Sequence, residues 1–402
     1  MIPIRKKEAK DVLEAIQSRA SSYTRKTIYN PYKKKFQPVQ KSNKKLLQTR
    51  LPFFPSIQST WEGDNMNKSV NENFIRFWHQ NCNGIKINDT SNIQHNFTQI
   101  HENNIHYFSF SETNFNVSSP TAQAKIHKCF NERFKAGRIT NTNTPGFPRS
   151  TSFQPGGVTS GFGVHLQTRY MSAEKDDLGR WHCHNFRGKE RDLKIYTVYR
   201  VHRKSDETAG VTTAWSQQRT VLRTRGIQKN PRDDVMDSLC NSVRKDVESG
   251  KSIIIMGDFN EGIDDREKSN ERLKEIGLVN LMQERIGDDL PKTWNRGRTA
   301  IDHVYMSIDV FKSVRRAGYA PFNTIALSDH RGIFFDLDKR ILFEDDVYHV
   351  EPASFRRLKS THPKHVRAYQ KNLSQQWKIH KINERLKKII SRFDSEGPSK
   401  WD

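Results

Sequence analysis

Long apolar runs are missing from this 402-residue sequence: none approaches the ~18 residues needed to span a bilayer, so no membrane partner is expected. Cysteine is scarce as well. The four present (Cys82, Cys129, Cys183 and Cys240) lie far apart and form no CxxC pair. That spacing excludes a disulfide scaffold and a Cys-based zinc site, and it fits a reducing intracellular compartment, nucleus or cytoplasm. The opening residues MIPIRKKEAKD carry charge with no apolar stretch behind them, so a secretory signal is not expected. Hydrophobic residues make up only 34% of the chain, which predicts that part of it is solvated arm rather than core.

Acidic residues are the other shortage, 45 against 68 Lys and Arg, for a net charge of +23. The excess is uneven. Residues 1–60 hold 14 basic and 3 acidic residues, a net of +11, and residues 352–402 hold 13 and 4, a net of +9. The remaining 61–351 is close to neutral. Basic ends of this density predict contact with a polyanion, nucleic acid before membrane. In the N-terminal arm, Lys33, Lys34, Lys35, Lys44 and Lys45 are the candidate nucleic-acid-binding residues.

The chain divides on these grounds into three parts. Residues 1–70 read as a basic, mostly disordered arm, with at most a short amphipathic helix over 5–22. From about 75 to 340, strand-like and helix-like pieces alternate, with strands expected at 74–82, 105–114, 161–168, 180–186, 193–201, 252–260, 300–307 and 332–337. Helices are expected at 96–104, 121–134, 213–226 and 235–250, and over at least part of 271–287. This order predicts an α/β sandwich of two sheets with helices outside. Residues 352–402 read as a basic helical extension, in which Val366, Tyr369, Leu373, Trp377, Ile382, Leu386, Ile389 and Phe393 recur at helical spacing. That stripe predicts either packing on the sandwich or a connector toward a partner. FEDD at 343–346 reads as an exposed acidic turn.

Polar residues suited to one chemistry stand at the ends of the predicted strands. Hydrolysing a phosphodiester at neutral pH needs a divalent cation held by oxygen ligands, a carboxylate to activate water, and donors to stabilise the phosphoryl oxygens. Asn81 follows FWHQ, Glu112 ends FSFS, and Tyr199 ends KIYTVY. Asp258 and Asn260 stand two apart after IIIMG, so on a strand they would share a face. Asp302 lies in AIDHVYM, and Asp329-His330 precede GIFFDL. An Asp or Asn at a strand exit is ordinarily a turn residue; the ordered set is harder to assign to turns. The HCH run at 182–184 is read as structural or exposed, not as a ligand set.

GDFN at 257–260 and SDH at 328–330 are similar to the signature boxes of the endonuclease/exonuclease/phosphatase superfamily, the DNase I-like and abasic-site endonuclease group. NxNG at 81–84, SETN at 111–114 and the Arg298–His303 segment resemble its other boxes, in the same order, across about 75–340. FQPGG at 153–157, YTVYRV and the 213–226 segment resemble more closely the endonuclease region of non-LTR retroelements. The resemblance implies a four-layer α/β sandwich and an Mg²⁺-dependent phosphodiesterase, with Mn²⁺ as an alternative ion. It implies Glu112 as principal metal ligand, assisted by Asn81 and Asp329. Asp258 would activate water with Asn260 holding it, His330 would contact the phosphate with Asp302 fixing its tautomer, and Tyr199 would contact the phosphate or leaving oxygen. Asn83 and the short spacer after Thr293-Trp294 depart from the abasic-site pattern. A DNA endonuclease is the favoured expectation. The same chemistry on RNA, a phosphomonoester or a small molecule, and an inactive nucleic-acid-binding relic, are the alternatives.

Overall fold

The computed structural model describes residues 28–30, 35–37, 59–146, 151–265, 267–344 and 363–396. In the first of two compact units, β1 (Ile28–Asn30) and β2 (Lys35–Gln37) form an antiparallel pair. The second unit opens with β3 (Glu62–Gly63), β4 (Phe74–Asn81), α1 (Thr90–Glu102), β5 (Tyr107–Ser111), α2 (Pro120–Arg133), β6 (Arg138–Thr142) and β7 (Val158–Phe162). It continues through α3 (Val164–Gln167), β8 (Tyr170–Lys175), β9 (Trp181–Phe186), β10 (Leu193–Tyr199), α4 (Ala214–Thr224), α5 (Pro231–Glu248) and β11 (Ser252–Asp258). Then come α6 (Ser269–Glu275), β12 (Leu278–Asn280), α7 (Leu281–Ile286), β13 (Asp302–Ser307), α8 (Ile308–Phe311), β14 (Val314–Tyr319), β15 (Ile333–Asp338) and α9 (Lys339–Phe343). Two helices follow, α10 (Pro363–Ile379) and α11 (Ile382–Glu396).

Strands β3-β14-β15-β4-β5-β7-β6 form one sheet, and β12-β13-β11-β10-β9-β8 the other. Both are mixed: β4 runs parallel to β5 and β10 to β11, and the other pairings are antiparallel. Alternation along the central strands explains the layers. Ile75, Phe77, Tyr107, Ile195, Ile254, Met256, Val304 and Met306 share one core between the sheets. Their neighbours point outward: Trp78, Phe108 and Phe110 pack with α1 and α2, and Tyr196, Ile253, Ile255 and Tyr305 with α5. The expected α/β/β/α sandwich is therefore present. Phe77 stacks on Phe335 across β4 and β15 with centroids 4.8 Å apart, and its truncation to Ala would cost ~3–5 kcal/mol.

Several local expectations need correction. Residues 161–168 are not one strand: β7 stops at Phe162 and a helical turn follows Gly163. The helix expected at 96–104 starts at Thr90, because the Asp89 carboxylate caps the Ser91 and Asn92 amides. Residues 271–287 break at Gly277, whose φ of +92° ends α6, so that Leu278–Asn280 can pair with β13. Strands β6, β8 and β14 had no counterpart in the reading of the sequence. The sandwich also begins earlier than 75, since Glu62–Gly63 pairs with β14 and Trp61 packs edge-on against Phe334. Within the arm expected to be mostly disordered, Ile28–Asn30 and Lys35–Gln37 pair as strands, while the helix expected at 5–22 and residues 31–34 and 38–58 lie outside the described residues. In FEDD, Phe343 is buried and Glu344 exposed, and Asp345 and Asp346 lie outside them. α10 and α11 do not bury the apolar stripe: Tyr369, Leu373, Trp377, Leu386 and Ile389 are all exposed.

Candidate active site

The alternation that builds the inter-sheet core also aims polar residues at its open edge. Asn81 continues the Ile75, Phe77 face of β4, Tyr199 the Ile195 face of β10, Asp258 the Met256 face of β11, and Asp302 the Val304 face of β13. Register sets three of them side by side, because Tyr199 pairs with Asp258 and Asp258 with Asp302. Gly257 permits the approach: a Cβ there would lie 2.7 Å from the Val198 carbonyl oxygen on β10.

Hydrogen bonds join the two sheets across this edge. Asn81 Nδ2 donates to Glu112 Oε2 at 2.9 Å and to Asp258 Oδ2 at 2.7 Å. Its Oδ1 accepts from the Asn83 amide at 2.8 Å. Glu112 has a positive φ of 50°, a conformation unusual for a glutamate and one that surrounding structure must impose. Asn260 is not on the strand face shared with Asp258, as the spacing suggested; β11 ends at Asp258, and Asn260 turns back with φ +49°. The two side chains still meet, with Asn260 Nδ2 3.2 Å from Asp258 Oδ2.

His330 Nδ1 lies 2.8 Å from Asp302 Oδ2, and one ligand atom from each of Asp258, Asp302 and His330 fits within 4.8 Å. All three are buried. Burial pushes the Asp258 carboxyl up to about 8, and the neighbouring Asp302 adds to the rise. For Asp302, burial acts upward but is outweighed by His330, which holds it well below the usual carboxylate range. Burial alone would lower His330; the Asp302 carboxylate and its hydrogen bond instead push the imidazole up to about 9. Burial pushes the Tyr199 phenol well up, and the Glu112 carboxylate it faces adds to the rise.

Asp329 stands beside this group, with Trp294 Nε1 on one carboxylate oxygen at 2.9 Å and Asn83 Nδ2 on the other at 3.0 Å. The loop carrying Ser328 and His330 is held to β4 by Gln80, which the sequence did not single out, and by Ser328 of the SDH segment. Gln80 donates to the Ala326 and His330 carbonyls, and Ser328 Oγ donates to the Asn81 carbonyl at 2.6 Å. Thr293 Oγ1 accepts from the Ile301 and Asp302 amides. His79 Nε2 faces the second Asp302 oxygen at 3.8 Å. Gln80 and His79 are common residue types whose partners lie more than 200 residues along the chain, so no local signal marks them, whereas Ser328 stands in the SDH segment and Thr293 eight and nine residues before its partners. Of the basic-arm candidates, Lys33, Lys34, Lys44 and Lys45 lie outside the described residues, and Lys35 is placed only as backbone of β2.

The donor set suits a hard divalent cation. Glu112 and Asp329 each offer carboxylate oxygens beside an asparagine amide, and Asp258, Asp302 and His330 bring a second set of ligand atoms together, with His330 Nδ1 taken up by Asp302. No described helix is long and apolar enough to cross a membrane.

No protein-family model matches the chain, and no curated protein matches its sequence. Solved structures do match. An AP endonuclease from Leishmania major is 13% identical, with 66% of this chain and 88% of that one covered and a TM-score of 0.48. An AP endonuclease from Archaeoglobus fulgidus is also 13% identical, over 66% and 99%, with a TM-score of 0.46. The endonuclease domain of TRAS1, a telomere-specific non-LTR retrotransposon, is 14% identical over 65% and 98%, with a TM-score of 0.37. With its own two sheets packed face to face and helices on both outer faces, this chain is a four-layer α/β sandwich. The solved structures it is similar to also include an endonuclease/exonuclease/phosphatase family protein from Leptotrichia buccalis, 14% identical over 65% of this chain and 99% of that one, with a TM-score of 0.41.

Proposed function

We propose that the sandwich is a metal-dependent hydrolase of phosphodiester bonds, acting as a DNA endonuclease of retroelement or abasic-site type. The observation that carries this reading is the meeting, at one sheet edge, of Asn81, Glu112, Tyr199, Asp258, Asn260, Asp302 and His330 from segments spread over 250 residues of chain. Glu112, with Asn81 bonded to it at 2.9 Å and assisted by Asp329, would hold Mg²⁺ or Mn²⁺, which would supply screening of the phosphate charge. Asp258 accepts the proton of the attacking water, a task suited to a carboxyl whose pKa lies near ambient pH. Asn260 keeps that carboxylate oriented through its backbone and side-chain N–H groups. His330, held protonated by Asp302, donates from Nε2 to a non-bridging phosphoryl oxygen. Tyr199, its phenol kept protonated, is a donor to the phosphate or the leaving oxygen. DNA is favoured over a small phosphomonoester by the +11 of residues 1–60, because a small substrate has no extended backbone for such an arm to grip.

Incubation of supercoiled plasmid with the protein and Mg²⁺ tests the reading, with EDTA and Asp258→Ala as controls. Nicking that both controls abolish is expected. Absence of nicking by the wild-type chain, or nicking indifferent to Asp258→Ala, would overturn it.

A further inference from the structure

Beneath the turn that carries Asn260 lies a cluster of charges that the reaction itself does not use. Arg200 and Arg232 are each 1% exposed, as is Glu261, and Glu267 is mostly covered. Arg232 donates from Nε and Nη2 to Glu267 at 2.8 and 2.6 Å, from Nη2 to the Asn260 carbonyl at 3.2 Å, and from Nη1 to the Val201 carbonyl. Arg200 bonds Glu267 at 2.6 Å, Ser269 Oγ at 2.8 Å and Glu261, and its Nε reaches the Arg232 carbonyl at 3.2 Å. Arg203, on the exposed segment after β10, bonds the other Glu267 oxygen at 2.8 Å.

One carboxylate thus gathers three arginines from two chain segments, the exit of β10 and the start of α5. The same guanidinium that holds Glu267 also holds the backbone on both sides of the reaction centre, Val201 after Tyr199 and Asn260 after Asp258. The Asn260 side chain completes the link by donating to the Arg200 carbonyl at 2.7 Å, and the Arg200 amide donates to the Asp258 carbonyl at 2.9 Å. For stability alone this is a poor use of buried space, since apolar side chains of equal volume commonly serve as well as a buried ion network. Apolar side chains could not donate to three backbone carbonyls. A lysine's compact ammonium lacks the planar fork by which Arg232 spans the Val201 and Asn260 carbonyls and Glu267 at once.

We propose that Arg232 and Glu267 are positioning residues that lock the Asn260 turn against the β10 exit, fixing the oxygens of Asp258 and the phenol of Tyr199 for reaction. The inference rests on the hydrolase reading for its effect on turnover, but not for its effect on the turn itself. Two readouts therefore accompany each variant: single-turnover cleavage of a DNA duplex with Mg²⁺, and amide hydrogen exchange over 257–262 referenced to the global unfolding free energy. Arg232→Met, Arg232→Lys and Glu267→Gln should each lower kcat by about 10- to 100-fold with KM changed less than about three-fold. Each should speed exchange at Asn260 by at least about ten-fold beyond what the loss of global stability explains. Arg203→Ala, which leaves the Arg232 fork intact, should do neither. Should Arg232→Met not fold, the lysine and Gln variants carry the test. Unchanged kcat at temperatures well below the unfolding midpoint, with Asn260 exchange tracking global stability alone, would reduce the cluster to ordinary packing and overturn the proposal. A wild-type chain that cleaves nothing would sink the hydrolase reading instead, and the exchange data would still decide the role of the cluster.

Discussion

Two histidine environments in this sandwich share burial and little else. His182 and His184 sit between the sheets, fully buried, with hydroxyl partners: Ser160 and Thr142 for His182, and Tyr107, Ser160 and Thr140 for His184. Burial pushes His182 down to about 3 and His184 well below its ordinary value. His330 is nearly as buried at 4% exposure, yet it moves the other way, up to about 9, because Asp302 stands 2.8 Å from its Nδ1. Burial favours the neutral ring in both places; an anionic neighbour reverses the outcome, and hydroxyls do not. Burial thus keeps the inter-sheet pair neutral, while the Asp302 carboxylate favours the protonated form of the rim histidine.

The largest way to break this contrast is to remove the carboxylate. Asp302→Asn should let His330 fall to the neutral side of pH 7, as its counterparts do, and lower DNA cleavage by about 10³-fold, within the range for loss of an acid–base group. Imidazole titration by NMR, read beside single-turnover rates, checks both halves; a His330 that still titrates near 9 in the variant would refute the assignment of cause. Asp258→Asn acts on the same cluster from the other side. It should remove about 10²–10³-fold of rate while leaving the unfolding midpoint within a few degrees, because the change is nearly isosteric. Activity within a few-fold of wild type would make Asp258 a turn residue only.

A smaller effect sharpens the interior half of the comparison. His182 has a folded pKa near 3 against about 6.5 unfolded, so below pH 6.5 the unfolded chain takes up a proton that the native state does not. Its contribution to stability is complete above about 6.5 and declines as pH falls toward 3, by up to ~1.4 kcal/mol per pH unit. Urea unfolding at pH 7.5, 6 and 5 should show this slope, and His182→Gln should lessen it; an identical slope in the variant would mean His182 already titrates in the native state. The smallest effect lies outside the sandwich. Deleting residues 1–57 should flatten the slope of log K against log salt for DNA binding by roughly 0.9 for each phosphate the arm neutralises. The deletion should stop there, because Ser59 Oγ accepts from the Phe322 amide and the Thr60 carbonyl accepts from Arg331. A slope unchanged by the deletion would show that the arm makes no phosphate contacts.

Legibility in the sequence followed burial. Central strands such as β4, β10, β11 and β15 carry dense apolar runs and were readable to within a few residues. β8, with YMSAEK exposed along nearly its whole length, carries no such pattern, and β14 is the exception: four residues of VRRAGY are buried, yet two arginines and a glycine interrupt its apolar run. The basic helical extension was legible as helix, and its break at Lys381, with φ +48°, was not.

For the site, the sequence alone put Asn81, Tyr199 and Asp258 at the polar ends of apolar strand runs and Asp302 within one, whereas in the structure Asp302 opens β13. Which of them would touch was decided only by the packing of one sheet on the other. Asn81 and Asp258 are 177 residues apart and meet at 2.7 Å because two twisted sheets bring their edges together there. The same holds for Gln80 under the His330 loop and for Arg232 under Asn260. Each is an ordinary polar residue by local pattern, and its partner is fixed by tertiary geometry. Strand periodicity sets the direction in which a side chain points; only the closing of long loops between sheets sets what it meets.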